Sequence, residues 1–140
     1  MKTVNFYGLF LSLTLLACEK EQMPLTDTTA PEIQILSPAD GDRISTSAIG
    51  IVVEILENQE LHEYSVVIRN KDRSYARTVA QGHAHTNDLT IDQEWIITPH
   101  TRDTFTLTVK ANDHNGNQGS SQIEFFHGSN LLINCSQFFY

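Results

Sequence analysis

The stretch of sequence that decides the fold is TFTLTVKANDHNGNQG, residues Thr104–Gly119. Apolar and polar side chains alternate strictly over its first eight residues, which is typical of a half-buried β-strand. The alternation then ends at an Asn/Gly-rich turn, and this combination predicts a β-hairpin. We expect Gly116 or Gly119 to supply any positive φ that the turn requires.

The length of this turn predicts which residues face each other across the hairpin. Opposed residues on an antiparallel pair share one face of the sheet, so the apolar run after the turn must align with the run before it. A three-residue loop at Asn115–Asn117 gives that alignment. It predicts Val109 opposite Ile123 and Leu107 opposite Phe125.

The same alternating pattern recurs from Pro31 to His127, and no segment carries the 3.6-residue apolar stripe of a helix. The strands predicted before the hairpin are Glu32–Leu36, Ala48–Leu56, His62–Arg69, Arg73–Ala80 and Asp88–Ile97. With the hairpin they make seven strands in about 95 residues, which predicts an all-β, immunoglobulin-like or fibronectin type III-like β-sandwich. The inward positions are predicted to be Ile49, Ile51, Val53, Ile55, Tyr64, Val66, Ile68, Tyr75, Val79, Leu89, Ile91, Trp95 and Ile97.

The N-terminal segment has the pattern of a targeting sequence. Lys2 is followed by an apolar run from Phe6 to Leu16, which is too short to span a bilayer. Its ending, Leu15-Leu16-Ala17-Cys18, resembles the bacterial lipobox, and the resemblance implies cleavage before Cys18 and lipid on that cysteine. We expect a lipoprotein signal peptide over 1–17, a lipidated cysteine and flexible tether over 18–30, the sandwich over 31–127, and a tail of unassigned structure over 128–140.

Charge and cysteine content exclude several classes of function. The chain has 17 acidic and 9 basic residues, a net charge of −8, and loss of Lys2 with the signal would leave 8 − 17 = −9. A nucleic-acid groove requires the opposite sign, so we expect no nucleic-acid partner. Acylation of Cys18 would leave Cys135 alone, so we expect neither a disulfide framework nor a cysteine zinc site.

Several motifs together resemble an uncharacterised family of bacterial immunoglobulin-like cell-envelope lipoproteins. These motifs are Asp27-Thr28-Thr29-Ala30-Pro31-Glu32-Ile33, Ser37-Pro38-Ala39-Asp40-Gly41, Leu61-His62-Glu63-Tyr64, Gly82-His83-Ala84-His85, Trp95 and Asp113-His114-Asn115-Gly116-Asn117. The resemblance covers residues 27 to about 127, and the tail after His127 departs from it. It implies a domain anchored in the cell envelope, and we expect an outer-membrane lipoprotein.

Six histidines in a chain of this length suggest a metal site. If the fourth strand returns alongside the third, as in fibronectin type III domains, four histidines and one aspartate reach the same pole of the sandwich. They are His62, His83, His85, Asp113 and His114. Two or three neutral imidazoles with Asp113 would make a ligand set for Zn²⁺ or Cu²⁺. His100 and His127 are expected at the opposite pole.

The predicted register brings the first two of these histidines together. With Ile68 opposite Tyr75 and Tyr64 opposite Val79, His62 lies opposite Gln81 and diagonal to His83 on the same face, within reach of its ring.

Two alternatives remain for these histidines. Histidines at strand ends are commonly hydrogen-bonded or simply exposed, and in that case no metal binds. If the fourth strand joins the other sheet instead, His83 and His85 move to the pole of His100 and His127.

The turn also has some features of a calcium-binding loop. Asp113, Asn115 and Asn117 alternate, and Glu124 stands at the twelfth place of an EF-hand-like count. Gln118 occupies the place where that loop requires glycine, and no helices flank it. We therefore expect a plain hairpin turn that could hold at most a weakly bound surface ion.

The sequence contains none of the common catalytic motifs, and acidic residues in turns, such as Glu57 and Glu60, are expected to be solvated. We therefore expect no enzyme, but a lipid-anchored binding or interaction module whose loops contact a protein or glycan partner. The alternatives are a Zn²⁺- or Cu²⁺-binding lipoprotein and a structural accessory of an outer-membrane assembly.

Overall fold

The computed structural model describes residues 26–97 and 102–128, and within these ranges the chain is entirely β and irregular structure. The strands are β1 (Glu32–Ser37), β2 (Arg43–Ile44), β3 (Ala48–Leu56), β4 (Leu61–Asn70), β5 (Ala76–His83), β6 (Asp88–Ile96), β7 (Asp103–Asp113) and β8 (Gln118–His127). None of the described residues belongs to a helix that could cross a membrane. The signal peptide, Cys18, His100, Cys135 and almost all of the tail lie outside the described residues.

The strands form two sheets, as the all-β prediction requires. One sheet has the order β1-β3-β6 and the other has the order β2-β8-β7-β4-β5. The prediction that the fourth long strand returns alongside the third is confirmed, because β5 pairs antiparallel with β4 at the edge of the larger sheet. This wiring brings the connections after β3, β5 and β7 to the same end of the molecule.

The predicted count of seven strands was one too low. The additional strand, β2, has only two residues and runs parallel to the end of β8. Its approach is fixed by backbone hydrogen bonds from Gly41 N–H to Glu124 O, at 2.7 Å, and from Phe126 N–H to Asp42 O, at 2.8 Å. A strand of two residues leaves no alternation to detect, so the sequence pattern could not reveal it.

The inward faces of both sheets share one apolar core. It consists of Ile49, Ile51, Val53, Ile55, Leu61, Val66, Ile68, Ile91, Trp95, Ile97, Phe105, Leu107, Val109, Ala111 and Phe125. Each fully buried large aliphatic or aromatic side chain contributes about 1.5–3 kcal/mol relative to an exposed one. Trp95 is 2% exposed and its ring centroid lies 5.0 Å from that of Phe105, so its predicted place in the core is confirmed.

Tyr75 was predicted to point inward on the fourth strand, and this was only partly right. It precedes β5 and is 38% exposed, although its ring centroid lies 6.3 Å from that of Trp95. The strand begins later than predicted because Asn70 closes a longer turn. Its Oδ1 accepts the Tyr75 N–H at 2.8 Å, and its own N–H donates to Tyr75 O at 3.2 Å.

The predicted register of the β7–β8 hairpin was wrong by two residues. The observed pairs are Phe105–Phe125, Leu107–Ile123 and Val109–Ser121, so Leu107 faces Ile123 and not Phe125. The physical reason is the side chain of Asp113, whose Oδ1 accepts the N–H groups of Asn115 and Asn117 at 2.9 and 2.8 Å. These bonds close the turn one residue early, at 114–116, with Gly116 at φ +87°. A two-residue shift keeps every side chain on its predicted face.

The predicted register of the β4–β5 pair was also wrong, for a similar reason. The observed pairs include Ile68–Arg77, Tyr64–Gly82 and Glu63–His83. The longer turn after Asn70 displaces the pairing by two residues, and a bulge between Val66 and Val67 adds a third. As a result, His83 lies opposite Glu63 rather than diagonal to His62.

Candidate functional site

Three connections and the N-terminal segment meet at one end of the sandwich. The β3–β4 connection is bound to the β5–β6 connection through hydrogen bonds from Glu57 N–H to Asn87 O, at 2.7 Å, and from Leu61 N–H to Thr86 O, at 3.1 Å. The β7–β8 turn lies beside them, because Leu61 pairs with Asp113. This end therefore gathers polar side chains from four separate parts of the chain.

Four histidines form a continuous group at this end, which we call the histidine pole (His62, His83, His85 and His114). The ring centroid of His62 lies 5.2 Å from that of His83 and 4.5 Å from that of His114. The ring of His114 in turn lies 5.2 Å from that of His85. The predicted convergence of these histidines is thus confirmed, even though the register behind it differed.

Two glutamates complete the histidine pole, and the sequence prediction did not include either of them. Glu60, His85 and His114 each offer a ligand atom within 4.8 Å of the other two, and so do His62, Glu63 and His83. The distances from His83 Nε2 to Glu63 Oε1 and from His85 Nδ1 to Glu60 Oε1 are 3.4 and 3.8 Å. The corrected β4–β5 register explains Glu63, since that register sets it directly opposite His83.

The groups of the histidine pole differ in exposure. The side chains of His83 and His85 are 62% and 64% exposed, so their glutamate contacts add little to stability as surface ion pairs. His62 is half-buried, and its Nδ1 atom is inaccessible and has no hydrogen-bond partner. The Nδ1 atom of His114 lies 3.4 Å from Glu60 O. His62 is therefore the least exposed of the four rings, and His83, His85 and His114 are all exposed.

This arrangement has the chemistry of a transition-metal site. Imidazole nitrogens and carboxylate oxygens bind Zn²⁺ at about 2.0–2.2 Å, so donor atoms in a tetrahedral site lie about 3.3 Å apart. The donor atoms of the histidine pole lie within 4.8 Å of one another in each group of three. A bound ion would therefore draw these donor atoms closer together.

Asp113 lies in a second cluster at the same end, which we call the carboxylate cluster (Asp27, Glu57 and Asp113). One oxygen of each residue lies within 4.8 Å of an oxygen of each of the other two. Asp113 is 1% exposed, and Asn117 Nδ2 donates to its Oδ2 at 2.7 Å. The structure therefore separates Asp113 from the histidines with which the sequence grouped it.

Glu57 was expected to be a solvated turn residue, and this was wrong. It is 6% exposed, and its Oε1 accepts the N–H groups of Asn58 and Gln59 at 2.9 and 3.3 Å. Its Oε2 atom is inaccessible and has no hydrogen-bond partner. The β1–β3 pairing could have indicated this site, because it sets the residues before β1 beside those after β3.

Asp27 brings the N-terminal segment into the carboxylate cluster. Its Oδ1 accepts the N–H of Thr29 at 3.0 Å, and this hydrogen bond, followed by one with Asn58, holds the pKa of Asp27 below its ordinary value. Its Oδ2 atom is inaccessible and unpartnered, like that of Glu57. Its backbone carbonyl accepts a hydrogen bond from Asn117 Nδ2 at 3.1 Å. The segment before β1 is therefore attached to the β7–β8 turn.

Like charges dominate the carboxylate cluster. In the described part of the chain, no lysine or arginine nitrogen lies within 4.0 Å of these carboxylates. Two like charges 4 Å apart repel each other by on the order of 4 kcal/mol at an effective dielectric constant of 20. Backbone N–H groups offset part of this cost, but they reach only one oxygen of Asp27 and one of Glu57.

A groove on the outer face of the larger sheet adjoins the histidine pole. Its volume is about 780 Å³, and its polar lining includes Glu63, Gln81, His83, Lys110 and Asn112. His83 and Glu63 thus belong both to the histidine pole and to this groove. A partner that docked on the sheet face would contact the candidate metal ligands.

His127 lies at the opposite end of the sandwich, as predicted. It is 3% exposed and pairs with Asp103 on β7, and its Nε2 atom lies 3.1 Å from Thr46 O. Its ring is therefore part of the fold at the far end and is remote from the histidine pole.

No protein-family model matches this chain, and no curated protein matches it. Among solved structures, the chain is similar to an engineered protein, with 21% identity and a TM-score of 0.47 over 74% of this chain and 21% of that chain. It is also similar to a modular endo-beta-1,4-mannanase from Cellulomonas fimi, with 19% identity and a TM-score of 0.46 over 73% of this chain and 19% of that chain. The chain spans about a fifth of the length of each, and these likenesses carry no argument about function.

Proposed function

We propose that this protein is a non-catalytic binding module of the cell envelope, anchored by lipid at Cys18, whose histidine pole binds a transition-metal ion such as Zn²⁺ or Cu²⁺. The observation that carries the proposal is the contact of four imidazoles from three separate parts of the chain, with Glu63 beside His62 and His83, and Glu60 beside His85 and His114. Scattered surface histidines would not be expected to meet in this way.

The strand order supports an immunoglobulin-like domain with fibronectin type III-like wiring. A three-stranded sheet faces a larger one, and the fourth long strand lies at the edge of the larger sheet. In such domains the loops at one end commonly carry the binding surface, because the sandwich holds them rigidly. The resemblance to bacterial immunoglobulin-like lipoproteins supports the same assignment.

Each residue of the histidine pole has a definite role in this proposal. His62, on β4, and His83 form one donor group with Glu63, and His85 and His114 form the other with Glu60. Glu60 and Glu63 supply carboxylate oxygens that offset the charge of the metal. Neutral imidazole with a carboxylate is a donor set suited to Zn²⁺ and Cu²⁺ and poorly suited to Mg²⁺.

Metal titration of the full chain tests this proposal. We expect Zn²⁺ or Cu²⁺ to raise the melting temperature of chelator-treated protein, followed by fluorescence of Trp95, the only tryptophan. The double variant His83→Ala/His85→Ala removes one imidazole from each group of three. Because even indirect partners of metal ligands change affinity by about 10- to 100-fold, we expect it to weaken binding at least tenfold.

The matched control is Gln81→Ala, which truncates an exposed neighbour on β5 without removing a metal ligand. It should bind metal as the wild type does. Equal metal content and equal melting shifts in the wild type and the double variant would contradict the proposal. In that case the loops and the adjoining groove would remain the candidate surface for a protein or glycan partner.

A further inference from the structure

The negative charge of the carboxylate cluster is not compensated by any lysine or arginine among the described residues. Glu57 is only 6% exposed, and its Oε2 atom has no hydrogen-bond partner. The Oδ2 atom of Asp27 is also inaccessible and unpartnered, and one oxygen of each of the three residues lies within 4.8 Å of the others. Buried charges are normally paired or coordinate a metal ion.

We propose that the carboxylate cluster is a Ca²⁺ site that attaches the N-terminal segment to the domain. The site is separate from the histidine pole and does not depend on the proposed function. It uses different residues, and its donors are oxygen atoms, not imidazole nitrogens.

The chemistry of the donors selects the ion. Three carboxylates provide the hard oxygen ligands that Ca²⁺ prefers, and Ca²⁺ accepts six to eight oxygens in irregular geometry. Mg²⁺ requires a nearly ideal octahedron and retains several waters, which does not suit inaccessible oxygens. Zn²⁺ sites usually contain histidine or cysteine, and neither type is present in the carboxylate cluster.

The hydrogen bonds of the carboxylate cluster leave one oxygen of Asp27 and one of Glu57 available to bind a cation. In Asp27 and Glu57, one oxygen accepts backbone N–H groups and thereby fixes the side chain. The second oxygen of each is left without a donor. In Asp113 the turn is closed by Oδ1, and Oδ2 accepts only the amide of Asn117. Backbone N–H groups therefore hold one oxygen of each carboxylate in place, and the three side chains remain close enough for one oxygen of each to share an ion.

The position of Asp27 gives the ion a mechanical role. Asp27 lies five residues before β1, whereas Glu57 follows β3 and Asp113 ends β7. An ion shared by the three residues would join the incoming chain to both sheets. We expect bound Ca²⁺ to order the segment before β1, and its removal to release that segment.

Calcium titration of the full chain tests the proposal. After EDTA treatment, we expect Ca²⁺ alone to raise the melting temperature by roughly 5–15 °C at 10 mM, for the 10⁻⁴–10⁻³ M affinity common in extracellular sites. Asp27→Asn and Glu57→Gln should lose this shift, although both retain an oxygen that can accept the backbone N–H groups. In EDTA, Glu57→Gln should melt at or above the wild-type temperature, since it removes repulsion.

The matched controls are Asp92→Asn and Glu94→Gln on β6, which make the same changes at exposed positions. Both should respond to Ca²⁺ as the wild type does. The double variant His83→Ala/His85→Ala should also keep the full response, which separates failure of this site from failure of the histidine pole. The proposal is overturned if Ca²⁺ gives no shift, if Mg²⁺ gives an equal one, or if Glu57→Gln lowers stability equally in EDTA and in Ca²⁺.

Discussion

Isoleucines in this domain show how far a single residue's surroundings follow from the sequence. Ile51 is 0% exposed in the centre of β3, whereas Ile96, at the end of β6, is 58% exposed. Alternation predicted the burial of Ile51, and it places Ile96 between the inward residues Trp95 and Ile97. The alternation of inward and outward residues was enough to predict the exposure of both isoleucines, because each strand has one face in the core.

Truncation of these two isoleucines should therefore give very different results. We expect Ile51→Ala to lower the free energy of unfolding by about 2–5 kcal/mol, because it removes buried methyl groups and leaves a cavity. Ile96→Ala, the same substitution at an exposed position, should change it by less than about 0.5 kcal/mol. Urea unfolding followed by Trp95 fluorescence measures both. Similar losses in the two variants would show that Ile51 does not lie in a common core.

Buried acids were the residues that sequence reasoning could not assign. Asp113 was assigned to the histidines because the predicted wiring brings the end of β7 to their pole, and it does lie there, but its carboxylate belongs to the carboxylate cluster instead. Glu57 was expected to be solvated because it follows a strand end. Its carboxylate lies close to that of Asp27, which is 30 positions away in the sequence. Only the packing of β1 against β3 brings these two residues together.

At the scale of the strands, faces were predicted more reliably than partners. The bounds of β3 agree with the prediction at both ends, and the inward residues of β4 and β7 are all buried or half-buried. Both predicted hairpin registers were nevertheless wrong. Side chains of Asn70 and Asp113 bond to the backbone of their turns, and such bonds change the loop length without changing the alternation.

The entry of β1 depends on a glycine at the start of β8. A Cβ atom at Gly119 would collide with the backbone carbonyl oxygen of Pro31. We expect Gly119→Ala to displace the segment before β1 and to cost about 1–3 kcal/mol of stability, as overpacking commonly does. Urea unfolding in EDTA measures this cost.

Gly50→Ala on β3 is the matched control, because no atom lies within 4 Å of its added Cβ. It should be neutral or slightly stabilising, since alanine restricts the unfolded chain more than glycine does. If Gly119→Ala were as stable as Gly50→Ala, the contact between Pro31 and β8 would have no energetic weight.

For the whole molecule, the order of the strands was the decisive prediction. It placed four histidines at one end from a single assumption about β5, and the sheet order confirms that assumption. It could not indicate the carboxylate cluster, because residues before Pro31 were treated as a tether. The part of that segment that the structure describes contacts the domain from Asp27 onwards.

The proposed anchor predicts the distribution of the protein between membrane and soluble fractions. The wild-type chain should remain with membranes and dissolve in detergent, because two or more acyl chains give stable anchoring. Cys18→Ser should be found in the soluble fraction or retain its signal peptide, while the folded domain keeps its melting temperature. Mass spectrometry of the N-terminal peptide identifies the modification. An unmodified cysteine in the wild type would refute the anchor.

In the proposed anchored state, the entry point of the chain limits how far the histidine pole can lie from the bilayer. Asp27 lies at the same end as the histidine pole, and only nine peptide steps separate it from Cys18. A fully extended chain covers about 3.3–3.6 Å per residue, so this leash reaches about 30 Å at most. With lipid at Cys18, the histidine pole would lie at the end of the domain that is nearer the lipid headgroups. An ion or partner that binds the histidine pole would then come from the space between the domain and the bilayer.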